Sequence, residues 1–410
     1  MASSFGILWI SSFLSCSSQF SDNARNIFFD DTYDATFLHL VVNTVSGKVY
    51  IGATNRLYQL TEFLQPEVSL ITGPSYDNPL CPPPMSECHC LGSNCKEFEK
   101  SLMTNLNKFL VVDYRGERLI ACTNLFQGHC SRHLTSNITL IDPPVWSMTV
   151  PNDEISSVVM FVGPGPPNPA STNVLYIAST RSTLGLPAYK DIVPAISMRN
   201  LHDLDLVSDD ILTPSRIDIE VQQRDLFRVH YVYGFGSLGF SYFLTVQKVA
   251  AITDSEKYVT QISRICQNDK SLYSYTELPL ECHSLGVHYN LLRSAYVTHP
   301  GARLAKSLGL PHIAPLTDLE HVLVAVFSHQ NQSQYASDQS ALCIYTLRDV
   351  RQKFTETIQR CFHGIGNTGP DHFVQPKPCF KTVGRPIPGN VECSRMLIGM
   401  IMKSLRLYLE

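Results

Sequence analysis

An all-β fold is indicated by FSYFLTVQ at residues 240–247 and by ISRICQNDKSLYSYTELPLEC at residues 262–282. The first stretch is dense in aromatic and β-branched side chains, which favour a buried strand. A second strand is predicted to end at Cys266, and a short third strand at residues 278–280 leads to Cys282. Two cysteines set among strands, in a chain with 13 cysteines, are typical of an oxidised extracellular domain.

Paired strands of this kind recur along the chain. Each copy reads as a strand, a turn and a second strand, and the strands are near-continuous apolar runs, as expected where a sheet is covered on both faces. Repetition of one motif in sequence favours a β-propeller over a β-sandwich. The five copies lie at residues 40–60, 110–128, 157–181, 230–247 and 321–347.

Charge and hydropathy exclude several classes of partner. The 410-residue chain has a formal net charge of −4, so it offers no basic field for nucleic acid or for an acidic membrane surface. No apolar run reaches the roughly 18 residues that a membrane span requires. The apolar residues 5–14, followed by serines, predict a signal peptide over residues 1–20, with an apolar leader of no targeting role as the alternative.

Two N-glycosylation sequons agree with an extracellular location. They are Asn137-Ile138-Thr139 and Asn331-Gln332-Ser333, and both stand in polar contexts typical of loops. A sequon is a short pattern that also arises by chance, but here it accompanies many cysteines. We therefore predict glycans on Asn137 and Asn331.

Two patterns imitate cofactor and metal sites. Gly234, Gly236 and Gly239 spell G-x-G-x-x-G, but a strand follows where a dinucleotide site needs a helix. A tight hairpin turn is the favoured interpretation. Cysteines and histidines at residues 88–95 and 129–133 resemble zinc ligands, but they lack a second pair at the required spacing. Disulfides are favoured there, and we predict no cofactor and no metal.

Paired carboxylates are the remaining pattern that suggests catalysis. Asp203 with Asp205, and Asp209 with Asp210, have the spacing of candidates for glycoside hydrolysis, but they stand in a polar segment where solvated charge is the ordinary explanation. The sequence contains no G-x-S-x-G, H-E-x-x-H or Walker motif. The protein is therefore predicted not to be an enzyme and to have no catalytic residues.

A family resemblance is carried by a series of short segments: GATNRLYQL, TGPSYDNPLC, LVVDYRGERLIAC, YFLTVQ, RICQND, ELPLEC, YNLLRSAY, PGARLAKSLGL and SALCIYTL. In this order they resemble the sema domain of plexins, and the A-class plexins most closely. The resemblance implies a sema-type seven-bladed β-propeller over residues 30–393, with a small helical insertion at residues 301–310. Residues 394–410 form a tail that departs from the family pattern, so the last blade is expected to be missing or incomplete.

The resemblance to plexins also implies how the cysteines pair. Cys16 lies in the predicted signal peptide, which leaves twelve cysteines, an even number that agrees with full pairing. Cys88 and Cys95 depart from the usual plexin pattern, and we expect them to pair with each other. An exchange among the four cysteines between residues 81 and 95 is the alternative. The other pairs implied by the resemblance are Cys81–Cys90, Cys122–Cys130, Cys266–Cys393, Cys282–Cys343 and Cys361–Cys379.

Plexins are cell-surface receptors for semaphorins, so the resemblance implies a ligand-binding head that recognises a semaphorin sema domain in axon guidance and cell migration. A co-receptor and self-association are further interactions to test. The charged stretch at residues 181–228 has little strand signal and is a candidate for part of the contact surface, with a plain solvated connection as the alternative. The chain as given is predicted to be extracellular, and the corresponding full-length protein to be a type I membrane receptor. The alternative is a Met-like receptor, or a semaphorin-type domain that acts as a ligand or a soluble decoy.

Overall fold

The computed structural model shows a protein built from antiparallel sheets, which confirms the predicted all-β class. It describes residues 29–30, 35–81, 99–144, 148–167, 171–249, 257–311, 321–330, 336–367 and 379. The predicted signal peptide and the predicted tail lie outside these residues. The chain divides into two compact units. The first contains the described residues up to Val162 together with residues 179–193 and 201–205, and the second contains the rest.

The first unit begins with a four-stranded meander, β1 (Phe37–Val42), β2 (Val49–Ala53), β3 (Arg56–Leu60) and β4 (Pro66–Ile71). Strands that are neighbours in sequence pair antiparallel, in the order β1-β2-β3-β4. The central strands β2 and β3 are almost fully buried, whereas β1 and β4 keep exposed positions. Burial on both faces explains why the central strands read as near-continuous apolar runs.

A two-stranded ribbon and a second four-stranded sheet follow: β5 (Ser75–Asp77), β6 (Ser101–Met103), β7 (Asn107–Asp113), β8 (Arg118–Thr123), β9 (Cys130–Leu134) and β10 (Asn137–Ile141). The larger sheet has the order β10-β9-β8-β7. A single turn, α1 (Leu125–Gly128), connects β8 to β9. Phe126 and Gln127 in this turn have positive φ angles of 53° and 59°, so it forms a left-handed corner.

The third sheet contains β11 (Val158–Pro167), β12 (Ser171–Ser179), β13 (Ile196–Arg199) and β14 (Arg216–Ile217), with the single turn α2 (Pro187–Lys190) between β12 and β13. The prediction of little strand structure at residues 181–228 is therefore wrong in part, since β13 and β14 lie within them. All four residues of β13 are buried. A strand of four residues is too short to stand out by its periodicity from the polar sequence around it.

The fourth sheet lies in the second unit and contains β15 (His230–Ser237), β16 (Phe240–Lys248), β17 (Tyr258–Cys266) and β18 (Thr276–Pro279), paired in that order. The two strands predicted at residues 240–246 and 262–266 are confirmed, and β16 pairs with β17 along its whole length. The short strand predicted at residues 278–280 is shifted, because β18 ends at Pro279. Cys282 begins the next strand instead of following this one directly.

The last described strands are β19 (Cys282–Ser284) and β20 (Val287–Tyr289), which form a ribbon, and β21 (Leu291–Thr298), β22 (Val322–Gln330) and β23 (Ala336–Thr346), which form a three-stranded sheet. The helix α3 (Ala302–Ser307) lies between β21 and β22. It confirms the helical segment predicted at residues 301–310. Ala305 is its buried residue and packs in a small apolar cluster with Leu310 and Val322.

The longest helix of the described chain, α4 (Leu347–Phe362), is absent from the sequence-based prediction. Thr346 caps it, since its hydroxyl oxygen accepts a hydrogen bond of 3.1 Å from the backbone N–H of Asp349. Its buried residues recur every three or four positions, at Leu347, Val350, Phe354, Ile358 and Cys361. This face packs into the main core of the second unit with side chains from β15 to β17 and from β21 to β23.

Candidate functional site

Three disulfides are complete within the described residues. Cys122 and Cys130 face each other across β8 and β9, with their Cα atoms 4.0 Å apart. Cys282 of β19 is bonded to Cys343 of β23, which ties the ribbon to the three-stranded sheet. Cys361, in the last turn of α4, is bonded to Cys379. These three bonds join cysteines that the family resemblance also pairs. They link β8 to β9, β19 to β23, and the end of α4 to Cys379.

The remaining predicted disulfides fall wholly or partly outside the described residues. Cys81 and Cys266 are each disulfide-bonded. Cys88, Cys90, Cys95 and Cys393 lie outside the described residues. The pairs Cys81–Cys90, Cys88–Cys95 and Cys266–Cys393 therefore stay predictions.

One of the two predicted glycosylation sites is described. Asn137 is the first residue of β10 and is partly exposed, so it begins a strand where the sequence suggested a loop. Its side-chain oxygen accepts hydrogen bonds from the backbone N–H and the hydroxyl of Thr139, at 3.0 and 2.8 Å. Asn331 lies outside the described residues. Glycosylation of both residues stays a prediction.

The glycine pattern at residues 234–239 forms a hairpin. Gly234 and Gly236 lie within β15, opposite Phe243 and Ser241 of β16. The turn between the two strands uses positive φ at Leu238 (47°) and Gly239 (80°), as a two-residue hairpin turn requires. The strand β16 follows directly, so the pattern offers no helix N-terminus to a pyrophosphate.

The zinc-like cysteines and histidines and the paired aspartates have structural roles wherever they fall within the described residues. Cys130 is disulfide-bonded, and no group of three His, Cys, Asp or Glu side chains in the described ranges is arranged to hold a metal ion. The Asp203 carboxylate accepts a hydrogen bond from the backbone of Asp205 at 2.9 Å, and that of Asp210 accepts one from the backbone of Leu212 at 2.8 Å. These carboxylates stabilise local turns.

Residues 206–228, which we call the acidic segment, belong to the predicted contact stretch and carry exposed apolar and charged side chains. Ile211 is 95 % exposed, Leu212 71 % and Val221 69 %. The acidic residues of the segment outnumber the basic ones, with Asp209, Asp210, Asp218, Glu220 and Asp225 against Arg216, Arg224 and Arg228. Exposed apolar side chains surrounded by charge are a common feature of protein–protein contact sites.

The acidic segment is held in place by its own hydrogen bonds and by the adjacent chain. Ser215 donates its hydroxyl proton to the carbonyl of Lys270 at 2.6 Å, and Tyr273 donates to the carbonyl of Leu212 at 2.9 Å. Farther along, the backbone N–H of Phe227 donates to Gln223 at 2.8 Å. The exposed side chains are therefore presented from a hydrogen-bonded backbone.

A buried carboxyl group lies in the fourth sheet. Glu277 of β18 is partly exposed as a whole residue, but its carboxyl group is desolvated and accepts a hydrogen bond of 3.0 Å from the Tyr275 hydroxyl. The Gln247 amide approaches the same oxygen at 3.5 Å. Desolvation raises the pKa of Glu277 to about 7, against the opposing effect of these two donors. The sequence does not predict that this carboxyl group is desolvated, because a Glu on an outer strand is expected to be solvated.

Replacing Glu277 by Gln should remove a pH dependence of stability. The carboxyl group holds its proton more tightly in the folded than in the unfolded state, so its contribution is largest below pH 4.5 and is lost as the pH rises to about 7. Above pH 7 the E277Q variant should exceed the wild type in free energy of unfolding by up to about 3 kcal/mol, with a much smaller difference at pH 5. Denaturant unfolding at pH 5 and pH 8 measures this. The exposed Glu281→Gln is the control, and an equal difference at both pH values would contradict the assignment.

A buried lysine organises a loop of the first unit. Lys108 of β7 is 7 % exposed, and its ammonium group donates to the carbonyl oxygens of Asp153, Glu154 and Ser156 at 2.7, 3.2 and 2.7 Å. Burial lowers the pKa of Lys108 to about 8, and the charges of Asp153 and Glu154 oppose this shift. The group therefore stays protonated at neutral pH, as its three acceptors require.

Within the described ranges, every helix is too short or too polar to cross a lipid bilayer.

Relatives of known class match most of this chain. Residues 292–393 match the family model of the Sema domain. Plexin-A2 of Mus musculus is 33 % identical over 360 residues, which cover 83 % of this chain and 18 % of that protein. Plexin-A4 of Danio rerio is 34 % identical over 360 residues, which cover 81 % of this chain and 18 % of the relative. The chain therefore spans less than a fifth of the length of these curated relatives.

Solved structures give the same result for the fold. The extracellular region of Plexin A4 (domains 1 to 8) matches with a TM-score of 0.72 and 30 % identity, over 88 % of this chain and 39 % of that chain. Drosophila Semaphorin 1a (extracellular domains 1-2) matches with a TM-score of 0.50 and 16 % identity, over 87 % and 60 % of the two chains, and shows the fold alone. The antiparallel meanders of the described residues agree with a sema-type seven-bladed β-propeller fold. By sequence and by fold, this chain belongs to the sema domains of the plexin family.

Proposed function

We propose that this chain is the extracellular ligand-binding head of a plexin-type receptor and that its partner is the sema domain of a semaphorin. The observation that carries the proposal is the sequence identity of about one third to A-class plexins over more than four fifths of the chain. The disulfides support an oxidising, extracellular compartment. The full-length protein would then be a cell-surface receptor in which this domain performs recognition, without catalysis.

The acidic segment is our candidate for part of the contact surface. It combines a net negative charge with the exposed side chains of Ile211, Leu212 and Val221. A partner surface with basic residues around an apolar centre would complement it. The charges would set the encounter rate and the orientation of the partner, and the apolar side chains would slow dissociation once they are buried.

The alternative functions have less support. A semaphorin-type ligand is related to this chain only at the level of fold, with 16 % identity to Drosophila Semaphorin 1a. A Met-like receptor carries a dense basic processing site within its sema domain, and this sequence has no such run. An enzymatic propeller would need converging carboxylates, whereas Asp203 and Asp210 stabilise turns. We therefore retain the receptor assignment as the proposal.

The direct test is a binding titration of the secreted 410-residue chain against a panel of semaphorin extracellular regions. Surface plasmon resonance supplies both rate constants, and sedimentation of the chain alone reports self-association. Saturable binding to at least one semaphorin, with no binding to an unrelated disulfide-bonded propeller, is the expected result. Absence of binding to the whole panel by a protein that unfolds cooperatively would refute the proposed partner class. Addition of a candidate co-receptor ectodomain to the same assay tests the third predicted interaction.

Neutralising two carboxylates of the acidic segment should slow association with the semaphorin. The double variant D209N/D210N removes two exposed charges but keeps the side-chain oxygen that accepts the Leu212 N–H. We expect the association rate constant to fall about threefold or more at low ionic strength, with a weaker salt dependence and a nearly unchanged dissociation rate. The exposed Glu62→Gln, outside the segment, is the control. Identical association rates for the double variant and the wild type would exclude this segment from the contact surface.

A further inference from the structure

An arginine is buried in the main core of the second unit. Arg264 of β17 is 1 % exposed and lies on the same side of the strand as Ile262 and Cys266, which belong to the apolar cluster. Two phenylalanine rings cover the guanidinium group. Its central carbon is 4.3 Å from the ring centroid of Phe240 and 4.6 Å from that of Phe354 on α4. Both rings are within cation–π distance of the guanidinium group, and its N–H groups still need hydrogen-bond acceptors.

The N–H groups at the edge of the Arg264 guanidinium group have no hydrogen-bond acceptor. The Nε and Nη2 atoms of Arg264 are buried and make no hydrogen bond. These two atoms form one side of the planar guanidinium fork, the side that binds an anion through two parallel N–H groups. Tyr242 stands directly opposite Arg264 on β16, and its buried hydroxyl oxygen interacts with the guanidinium group. The proton of this hydroxyl has no acceptor among the described residues, so it is a further donor beside the unpaired Nε and Nη2 atoms of Arg264.

A second arginine adds positive charge to the same place. Arg351 lies one turn before Phe354 on α4, and its buried Nη1 atom also has no hydrogen-bond partner. Its charge and that of Arg264 both act on the Tyr242 hydroxyl and lower its pKa, against the larger raising effect of burial. No carboxylate of the described residues forms an ion pair with Arg264 or Arg351. Two neighbouring cations and an unpaired hydroxyl proton are costly in a core unless an anion lies between them.

We propose that Arg264, Tyr242 and Arg351 form an internal binding site for a small monovalent inorganic anion. The Nε–Nη2 edge of Arg264 would donate two hydrogen bonds to it, and the hydroxyl of Tyr242 and Nη1 of Arg351 would supply the other donors. The ion is small, because Arg264 is 1 % exposed and packs among the apolar side chains of the core. Of the two arginines, Arg264 is fully buried and Arg351 is partly exposed to water. Because only one buried positive charge has to be neutralised, the ion is monovalent. The bound ion would join α4 to the fourth sheet.

The proposal predicts that stability depends on the identity of the anion at constant ionic strength. Thermal unfolding of the complete secreted chain is followed while sodium gluconate, whose anion is too large for the site, is replaced by sodium chloride up to 150 mM. We expect the midpoint temperature to rise by about 2 to 4 °C and to saturate, since the ion binds the folded state only. Sodium bromide and sodium bicarbonate are parallel arms that distinguish a halide from a small oxyanion. Broadening of the ³⁵Cl NMR line by the protein, reversed by bromide, is the independent measure of occupancy.

Three variants separate a bound ion from a general salt effect. Y242F removes one donor and keeps the ring, so it should fold and need about five- to tenfold more chloride for half of the effect. R264M should abolish the response to all three anions and the line broadening. R360Q, which removes an exposed arginine of the same helix, is the matched control and should behave as the wild type. If R264M fails to fold, Y242F and the line broadening decide the question.

Two results would overturn the proposal. One is a wild-type midpoint temperature that is the same in chloride, bromide, bicarbonate and gluconate, together with no line broadening. The other is an anion response of Y242F equal to that of the wild type and of R360Q. In either case the guanidinium edge of Arg264 would be satisfied without a bound ion.

Discussion

Replacing Cys282 and Cys343 together by alanine is expected to lower the free energy of unfolding by about 4 kcal/mol. The two cysteines are 61 residues apart in sequence, and their bond joins β19 to β23. In the chain-entropy view, the bond acts mainly by restricting the unfolded chain, so the loss increases with the length of the closed loop. Denaturant unfolding of the double variant, measured under oxidising conditions, gives the value.

The bond between Cys122 and Cys130 provides the matched comparison. It closes a separation of only 8 residues, so its removal by a double alanine substitution should cost less, about 2 to 3 kcal/mol. All four cysteines are about 1 % exposed or partly buried in apolar surroundings, which keeps the loss of packing similar in the two variants. Equal losses for the two double variants would show that loop length does not govern the effect. A change in the denaturant slope would show an altered unfolded state.

The second large effect is expected for Lys108→Met, which should lower the free energy of unfolding by about 4 kcal/mol. Methionine matches the length of the lysine stem but leaves the carbonyl oxygens of Asp153, Glu154 and Ser156 without their donor. Each acceptor then keeps its desolvation cost without a hydrogen bond to offset it. Equilibrium unfolding gives the total loss, and amide hydrogen exchange should show it concentrated at residues 153–156.

Lys48→Met is the control for this substitution. Lys48 also lies in the first unit and binds a carboxylate, with its Nζ atom 2.6 Å from Glu67, but both side chains are partly exposed. A pair of this kind contributes less than about 1 kcal/mol, because water already solvates both charges. Similar losses for K48M and K108M would mean that the three carbonyl contacts do not stabilise the loop.

Much of the strand architecture is predictable because its signal is local. The strand at residues 240–246 is rich in residues that prefer a pleated, covered surface, and β16 runs from Phe240 to Lys248. The glycines before it could be assigned to a hairpin because a strand, not a helix, follows them. The helix α4 also had a readable signal, in the spacing of Val350, Phe354 and Ile358 and in the cap at Thr346. The strand repeats elsewhere in the sequence do not predict a helix at this position.

The buried charged groups could not be predicted in the same way. Lysine, arginine and glutamate are expected at the surface. The three carbonyl oxygens that bind Lys108 belong to residues more than 40 positions away, so the sequence around Lys108 does not predict them. Arg264 carried a weak signal, since alternation places it on the same face as Ile262 and Cys266. The stretch at residues 181–228 was identified by its charge and its weak strand signal. The short strands β13 and β14 within it and the exposure of Ile211 depend on long-range packing, to which a local pattern is insensitive.

The bond between Cys282 and Cys343 also has a mechanical consequence. At about 3.5 Å per residue, the 61-residue separation would add roughly 200 Å to a chain stretched by its two ends. The disulfide prevents this extension, because tension passes through the bond from one cysteine directly to the other. Tension applied to the two ends of this domain would therefore leave β20, β21 and β22 free of load. Their surfaces would keep their shape until the bond is reduced.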